Sequence, residues 1–259
     1  MISSEKFEPA RADPPGILPR DDGATIAYRR RLGAGPGLVF ISGFMSNMTG
    51  TKASYLDGFA ADRGRAFLRF DAFGHGASSG DLAAATIGRW RRDLTAVLDR
   101  LTEGPQILVG SSLGGWLMLL AALDRPDRVA ALIGVAAAPD ATEALMWKRF
   151  PEGVRETILR EGAVRMPSNY GGEPYLFTRQ LIEEGRRHLV MNSPLPIACP
   201  VRLIHGMADS EVPWRMSLAL AEKLRASDVQ LLLVKDGDHR LSRDSDLALL
   251  GRTVTALVS

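Results

Sequence analysis

The sequence is poor in the residues from which metal sites and covalent cross-links are built. Cys199 is the one cysteine in 259 residues, which excludes a disulfide framework and a thiolate metal cluster. The four histidines, His75, His188, His205 and His239, are scattered along the chain, so no ligand spacing for a metal is present. A dominant charge is missing too. Lys and Arg total 32 against 30 Asp and Glu, a formal net charge of +2. The two signs are interspersed, without the basic stripe of a nucleic-acid surface. No apolar run is long enough to span a membrane. The opening MISSEKFEPARADPPGILPRDDG has neither the apolar centre of a signal peptide nor the composition of a transit peptide. The expectations are therefore no cofactor, no metal, no nucleic-acid partner, no membrane span and a cytoplasmic location.

What is present is a globular composition, 46% hydrophobic and 24% charged, in a chain long enough to bury one sizeable core. Residues 1–24 read as a loose arm. From residue 25 onward short apolar strands alternate with helical patterns: TIAYRRR, GLVFIS, AFLRFD, QILVG, VAALIGVAA, VRLIHG and VQLLLV are the strands. Between them, TIGRWRRDLTAVLDRLTEG carries Trp90, Leu94, Val97, Leu98 and Leu101 at intervals of three and four, the spacing of an amphipathic helix. Such alternation predicts an α/β protein whose mostly parallel sheet is covered on both faces, here one domain over 25–259. The stretch from about 140 to 198 breaks the rhythm. It is too long for a plain loop, and its helical pieces and proline–glycine breaks suggest a small helical cap inserted into the domain.

Chemistry concentrates at GSSLG, residues 110–114. The pattern G-x-S-x-G fits it in one register only and makes Ser112 the central serine, between a buried strand and an apolar helix. Glycines on either side let strand and helix approach, and the N–H of Leu113 can face a developing oxyanion at the helix N-terminus. Ser111 then points away. A serine needs a base, and in this kind of site the order along the chain is nucleophile, acid, histidine. His239, in the loop after the last strand, meets that order. His75 reads as loop structure, His188 as a charged-surface residue and His205 as a strand-end histidine with a structural hydrogen bond. Asp209, just beyond VRLIHG, is the candidate acid, because functional groups of open α/β sheets gather at strand C-termini. Asp236 and Asp238 are nearer His239 in sequence but read as turn residues.

A second oxyanion donor is expected from the loop after the first buried strand, ISGFMSNMTG, where Gly43 permits a tight turn and the N–H of Phe44 is the candidate. Met45, Trp147, Phe150, Tyr175 and Trp214 suit an acyl or aryl pocket, whereas Trp116 opens the elbow helix and is expected to face the sheet or its flank.

These motifs, with FISGFMSNMTGTKA, FLRFDAFGHGASSGD, EGPQILVGSSLGGWLMLLAA, CPVRLIHGMADSEVPW and DGDHRLS, resemble the α/β-hydrolase fold superfamily. Within it they are similar to the animal mitochondrial acyl-protein thioesterase and acyl-glucuronide esterase branch, over roughly residues 25–258. The resemblance implies hydrolysis of thioesters or activated oxygen esters by Ser112, Asp209 and His239 without a cofactor. The partner would be a small-molecule ester or thioester, or an S-acylated protein. Two departures stand out. Ser42 precedes the oxyanion-loop glycine where many relatives carry histidine, and the arm lacks a mitochondrial presequence, so a bacterial-type homologue is expected. Hydrolysis of small esters or lactones, a transferase or lyase using the same three residues, and a silent binding protein remain alternatives on sequence alone.

Overall fold

The computed structural model describes residues 14–168 and 173–258. Eight strands form one sheet: β1 (Gly16–Pro19), β2 (Thr25–Arg31), β3 (Ala34–Ile41), β4 (Arg65–Phe70), β5 (Gln106–Ser111), β6 (Val129–Val135), and, after the cap, β9 (Val201–Gly206) and β10 (Val229–Val234). Their spatial order is β1-β2-β4-β3-β5-β6-β9-β10. β1, β2 and β4 pair antiparallel, and every pairing from β4 onward is parallel. β1 corrects the reading of residues 1–24 as a loose arm. Its four residues are too short to show a period, yet Leu18 is buried and Ile17 pairs with Ala27. Pro19 is tolerated because β1 lies at the sheet edge. Residues 1–13 lie outside the described residues.

Alternation along each strand divides the core in two. Leu38 and Phe40 of β3, Ile107 and Val109 of β5, and Ile133 of β6 pack on the face covered by α1 (Thr51–Asp62) and α7 (Asp244–Val258). Val39, Ile41, Leu108 and Leu132 point the other way, against α2 (Ile87–Leu101) and α3 (Leu113–Asp124). Burying one such side chain contributes about 1.5–3 kcal/mol, and β5, buried at all six positions, is the strand the rest is built around. α2 starts where the Thr86 hydroxyl accepts the Arg89 N–H at 3.1 Å, a side-chain cap. It buries the five residues whose spacing predicted it.

The insertion between β6 and β9 holds a π-helical turn (Thr142–Trp147), α4 (Glu152–Glu161), β7 (Ala163–Met166), β8 (Tyr175–Thr178) and α5 (Arg179–Gly185). β7 and β8 pair antiparallel as a separate two-stranded sheet, so the cap is mixed rather than helical. Four-residue strands carry too little periodicity to announce themselves. α6 (Arg215–Lys223) then connects β9 to β10.

Side chains close the cap at its neck and tie it to the sheet domain. At its neck, buried Asp140 accepts the N–H groups of Val190 and Met191 at 2.7 and 3.0 Å, joining the start of the insertion to its returning segment. Further along, Glu184 accepts the Gly88 N–H at 3.1 Å and pairs with His188 at 2.7 Å, while Arg91 of α2 reaches the other ring nitrogen of His188. His188 is thus a junction between cap and core rather than a solvated residue. Trp116 is fully buried and donates its indole N–H to the His188 carbonyl at 3.1 Å.

Candidate active site

The strand β5 ends at Ser111, and Ser112 turns the chain into α3 with φ 54° and ψ −122°. That backbone conformation is costly for a residue with a Cβ and persists only when its surroundings hold it. Here they do. The Ser112 N–H donates to the Val135 carbonyl at 2.9 Å, and its own carbonyl accepts from Gly115 and Ala138. A Cβ on Gly114 would collide with the carbonyl of Ile41, and one on Gly110 with the backbone of Gly114, so only glycine allows α3 to start this close to the sheet.

His239 and Asp209 arrive on the loops after β10 and β9. His239 Nε2 faces the Ser112 Oγ at 3.1 Å, and its Nδ1 faces Asp209 Oδ2 at 2.8 Å. Asp209 is wholly shielded from solvent at its side chain. Burial alone would raise its pKa, but hydrogen bonds from His205, His239 and the Val212 N–H outweigh that and hold the carboxyl well below the usual range. The carboxylate therefore stays ionised and keeps Nδ1 as the protonated nitrogen, leaving Nε2 free to accept the serine proton. His205 makes the structural hydrogen bond expected of it, and the partner is Asp209. Its Nε2 sits 2.9 Å from the Val212 carbonyl and 3.2 Å from Asp209 Oδ2, while Ser217 Oγ lies 2.7 Å from Nδ1. Asp236 instead pairs with Arg243 at the surface, and Asp238 accepts the Leu241 N–H within its own turn.

The loop after β3 packs against the elbow. A Cβ on Gly43 would press on the Ser112 Cβ and the Ser111 carbonyl at 3.2 Å, a crowding that glycine avoids where the loop meets the elbow. Among the described residues the N–H groups of Phe44 and Leu113 donate to no protein group, and both residues line the cleft above Ser112. The next N–H, that of Met45, is held by His75 Nε2 at 3.1 Å, and His75 Nδ1 lies 3.2 Å from the Phe73 carbonyl. His75 is therefore a neutral acceptor under the oxyanion loop, and burial lowers its pKa. Buried Asp71 supports the same loop by accepting the Met48 N–H at 2.6 Å.

A cleft of about 630 Å³ opens over Ser112, between this loop and the cap. Met45, Phe150 and Tyr175 line it; Trp147 and Trp214 do not. Those two indoles instead lie under guanidinium groups, Arg186 at 5.2 Å and Arg215 at 4.4 Å. Counting aromatic residues gives no direction, and both rings turn to nearby arginines. Phe177, on β8, stacks on Phe44 at 5.6 Å and meets Phe150 edge-on at 5.0 Å, so core and cap share one aromatic wall. The opposite side is polar. Lys52 donates to the Arg240 carbonyl, and burial pushes its ammonium down to about 8. Arg149 donates to the Glu211 carbonyl at 2.6 Å. Glu211 was not a sequence candidate, because nothing local separates it from any other loop carboxylate. Half-buried Cys199 lies outside the cleft, and burial raises its thiol pKa. Among the described residues no His, Cys, Asp and Glu group could hold a metal ion, and no helix is long and apolar enough to cross a membrane.

Comparison with known proteins agrees with this architecture. The α/β hydrolase fold family model matches residues 36–171. Mouse mitochondrial palmitoyl-protein thioesterase ABHD10 is 45% identical over 243 residues, 93% of this chain and 82% of that protein. The human counterpart is 43% identical over 93% of this chain and 79% of its own. The solved mouse α/β hydrolase domain-containing protein 10 superposes with a TM-score of 0.87 at 43% identity, covering 94% of this chain and 98% of that one. A putative hydrolase from Agrobacterium vitis S4 gives 0.89 at 38% identity, over 94% and 97%. By sequence and by fold, the chain belongs to the α/β-hydrolase fold family, as a hydrolase of the thioesterase type.

Proposed function

We propose that the chain hydrolyses S-acyl thioesters and activated esters with apolar acyl groups, palmitoylated proteins among its substrates. The observation that carries this reading is the unbroken hydrogen-bonded line from Ser112 through His239 to Asp209 on the floor of the cleft. Ser112 attacks the acyl carbon as His239 Nε2 takes its proton. The N–H groups of Phe44 and Leu113 receive the oxyanion, and such a donor typically supplies about 3–4 kcal/mol of transition-state stabilisation. His239 then protonates the departing thiol or alcohol, and water releases the acid from the acyl-Ser112 ester. The aromatic wall of Phe44, Phe150, Tyr175 and Phe177 favours an apolar acyl chain. The cleft volume of about 630 Å³ suits it, since small-molecule pockets run from roughly 300 to 1,000 Å³. The ABHD10 relatives are named palmitoyl-protein thioesterases, which supports the same class.

The test is a matched panel of acyl thioesters and oxygen esters from about C2 to C16, run with Ser112→Ala as control. Each buried CH₂ contributes about 0.8 kcal/mol, so kcat/KM should climb with chain length until the cleft is full. Ser112→Ala should lose all labelling by a serine-directed phosphonate, and Ser111→Ala should keep it. A profile that peaks at the shortest acyl group would replace the long-acyl reading with a small-ester or lactone hydrolase. Labelling that survives in Ser112→Ala would overturn the mechanism.

A further inference from the structure

One carboxylate beside the relay makes no hydrogen bond to it through its side chain. Glu211 lines the cleft two residues after Asp209, and its Oε2 lies 3.7 Å from His239 Nε2, the ring nitrogen that faces Ser112. That separation is too long for a hydrogen bond. Its other oxygen, Oε1, is buried and has no hydrogen-bond partner among the described residues. The nearby cation does not satisfy it, because Arg149 donates to the Glu211 backbone carbonyl. The backbone itself is pinned, with the Glu211 N–H on Asp209 Oδ1 at 2.9 Å. A buried carboxylate oxygen without a donor is destabilising. In a native protein such a group calls for an explanation, and a catalytic role is one.

We propose that Glu211 is a further catalytic residue, orienting the water that hydrolyses the acyl-enzyme. The proposal rests on Ser112 being the acylated residue. Once His239 has passed its proton to the leaving group, Nε2 is an acceptor again. A water in the cleft can then donate one hydrogen to His239 Nε2 and the other to Glu211 Oε2, the oxygen that faces that nitrogen. With both hydrogens committed, an oxygen lone pair is left for the acyl carbon. The new C–O bond forms as His239 takes the first proton. Collapse then breaks the bond from carbon to Ser112 Oγ, and His239 returns that proton to the serine. Glu211 gains no proton at any stage; it fixes the direction of attack, and misplaced attack geometry is expensive.

The experiment separates the two half-reactions. Glu211→Gln, which keeps the side-chain shape, and Glu211→Ala are mixed with p-nitrophenyl octanoate in stopped flow, and quenched samples are weighed intact and peptide-mapped. Acylation should match the wild type within about twofold in both variants. Deacylation should slow about 10²-fold in Glu211→Ala and less in Glu211→Gln, whose amide oxygen can still accept, so that the octanoyl adduct accumulates on Ser112. Decay of the pre-formed adduct gives the deacylation rate directly. Equal slowing of both phases, or a displaced pH profile for the burst, would assign Glu211 to loop structure or to the basicity of His239 and overturn the proposal. Unchanged adduct lifetimes in both variants would overturn it as well. A wild-type adduct on any residue other than Ser112 would overturn the underlying reading of the site, a result distinguishable from the failure of Glu211 alone.

Discussion

The floor and the roof of the cleft are built on different terms. On the floor, Ser112, Asp209 and His239 stand at the ends of β5, β9 and β10, and each is held by backbone geometry or by several hydrogen bonds at once. The roof, residues 140–198, is closed at its neck by the Asp140 clasp and joined to the sheet domain by side chains, the His188 junction and the ring contact between Phe44 and Phe177 among them. Chemistry that tolerates little displacement rests on the sheet ends. On the proposed function, selection of the acyl group rests on packed side chains, whose removal has graded effects. Damage to the floor should therefore appear in kcat, and damage to the roof in stability and in the dependence on acyl length.

The largest effect is expected on the floor. Asp209→Asn should lower the rate of acyl-enzyme formation by about 10⁴ with the fold retained. Asp236→Asn, which alters only a surface pair with Arg243, should be close to silent; the reverse result would break the assignment. At the neck of the roof, Asp140→Ala strips the acceptor from two backbone N–H groups. It should lower unfolding stability by about 2–4 kcal/mol, read from urea denaturation. Its KM should rise more than its kcat falls, and a collapse of kcat at unchanged stability would erase the distinction between the regions.

A third test uses pH on the support of the oxyanion loop. The folded pKa of His75 lies below the ordinary 6.5. The unfolded chain therefore takes up this proton first, so the stability conferred by a neutral His75 is lost as pH falls below that value. His75→Gln can still accept the Met45 N–H and does not titrate. Its urea midpoint should decline less than that of the wild type below about pH 6.5, and identical slopes would show that His75 is not the sensor. The smallest effect belongs to the roof. Phe150→Ala should lower kcat/KM for long acyl chains by about tenfold and leave C2 substrates unchanged, whereas Trp147→Ala should change neither by more than about twofold. A chain-length effect from Trp147→Ala would mean that the indole leaves Arg186 for the cleft.

Legibility in the sequence followed the same division. The elbow is local, so GSSLG exposes Ser112, and the parallel sheet follows from seven apolar strands separated by helices. Asp209 and His239 could be chosen because strand ends and chain order constrain them. The pocket could not be read this way. Trp147 in the cap and Trp214 just before α6 escape a sequence reading because the direction of each indole is set by an arginine, Arg186 and Arg215 respectively. The second sheet, β7 with β8, is too short for its period to register. Glu211 acquires meaning only through its distance to a histidine on another loop.

The crowding around Asp209 has a kinetic consequence. Its two oxygens receive four donors, from His239, His205, Glu211 and Val212, which matches the number of lone-pair sites a carboxylate offers, about four. No site is left for a mobile proton, so the one taken from Ser112 stops on the imidazole. Acylation then has a single proton in flight. In mixtures of light and heavy water, the burst rate should fall along a straight line with the deuterium fraction. A bowed line would mean that a second hydrogen moves with the first, and that this carboxylate is less fully occupied than its neighbours make it.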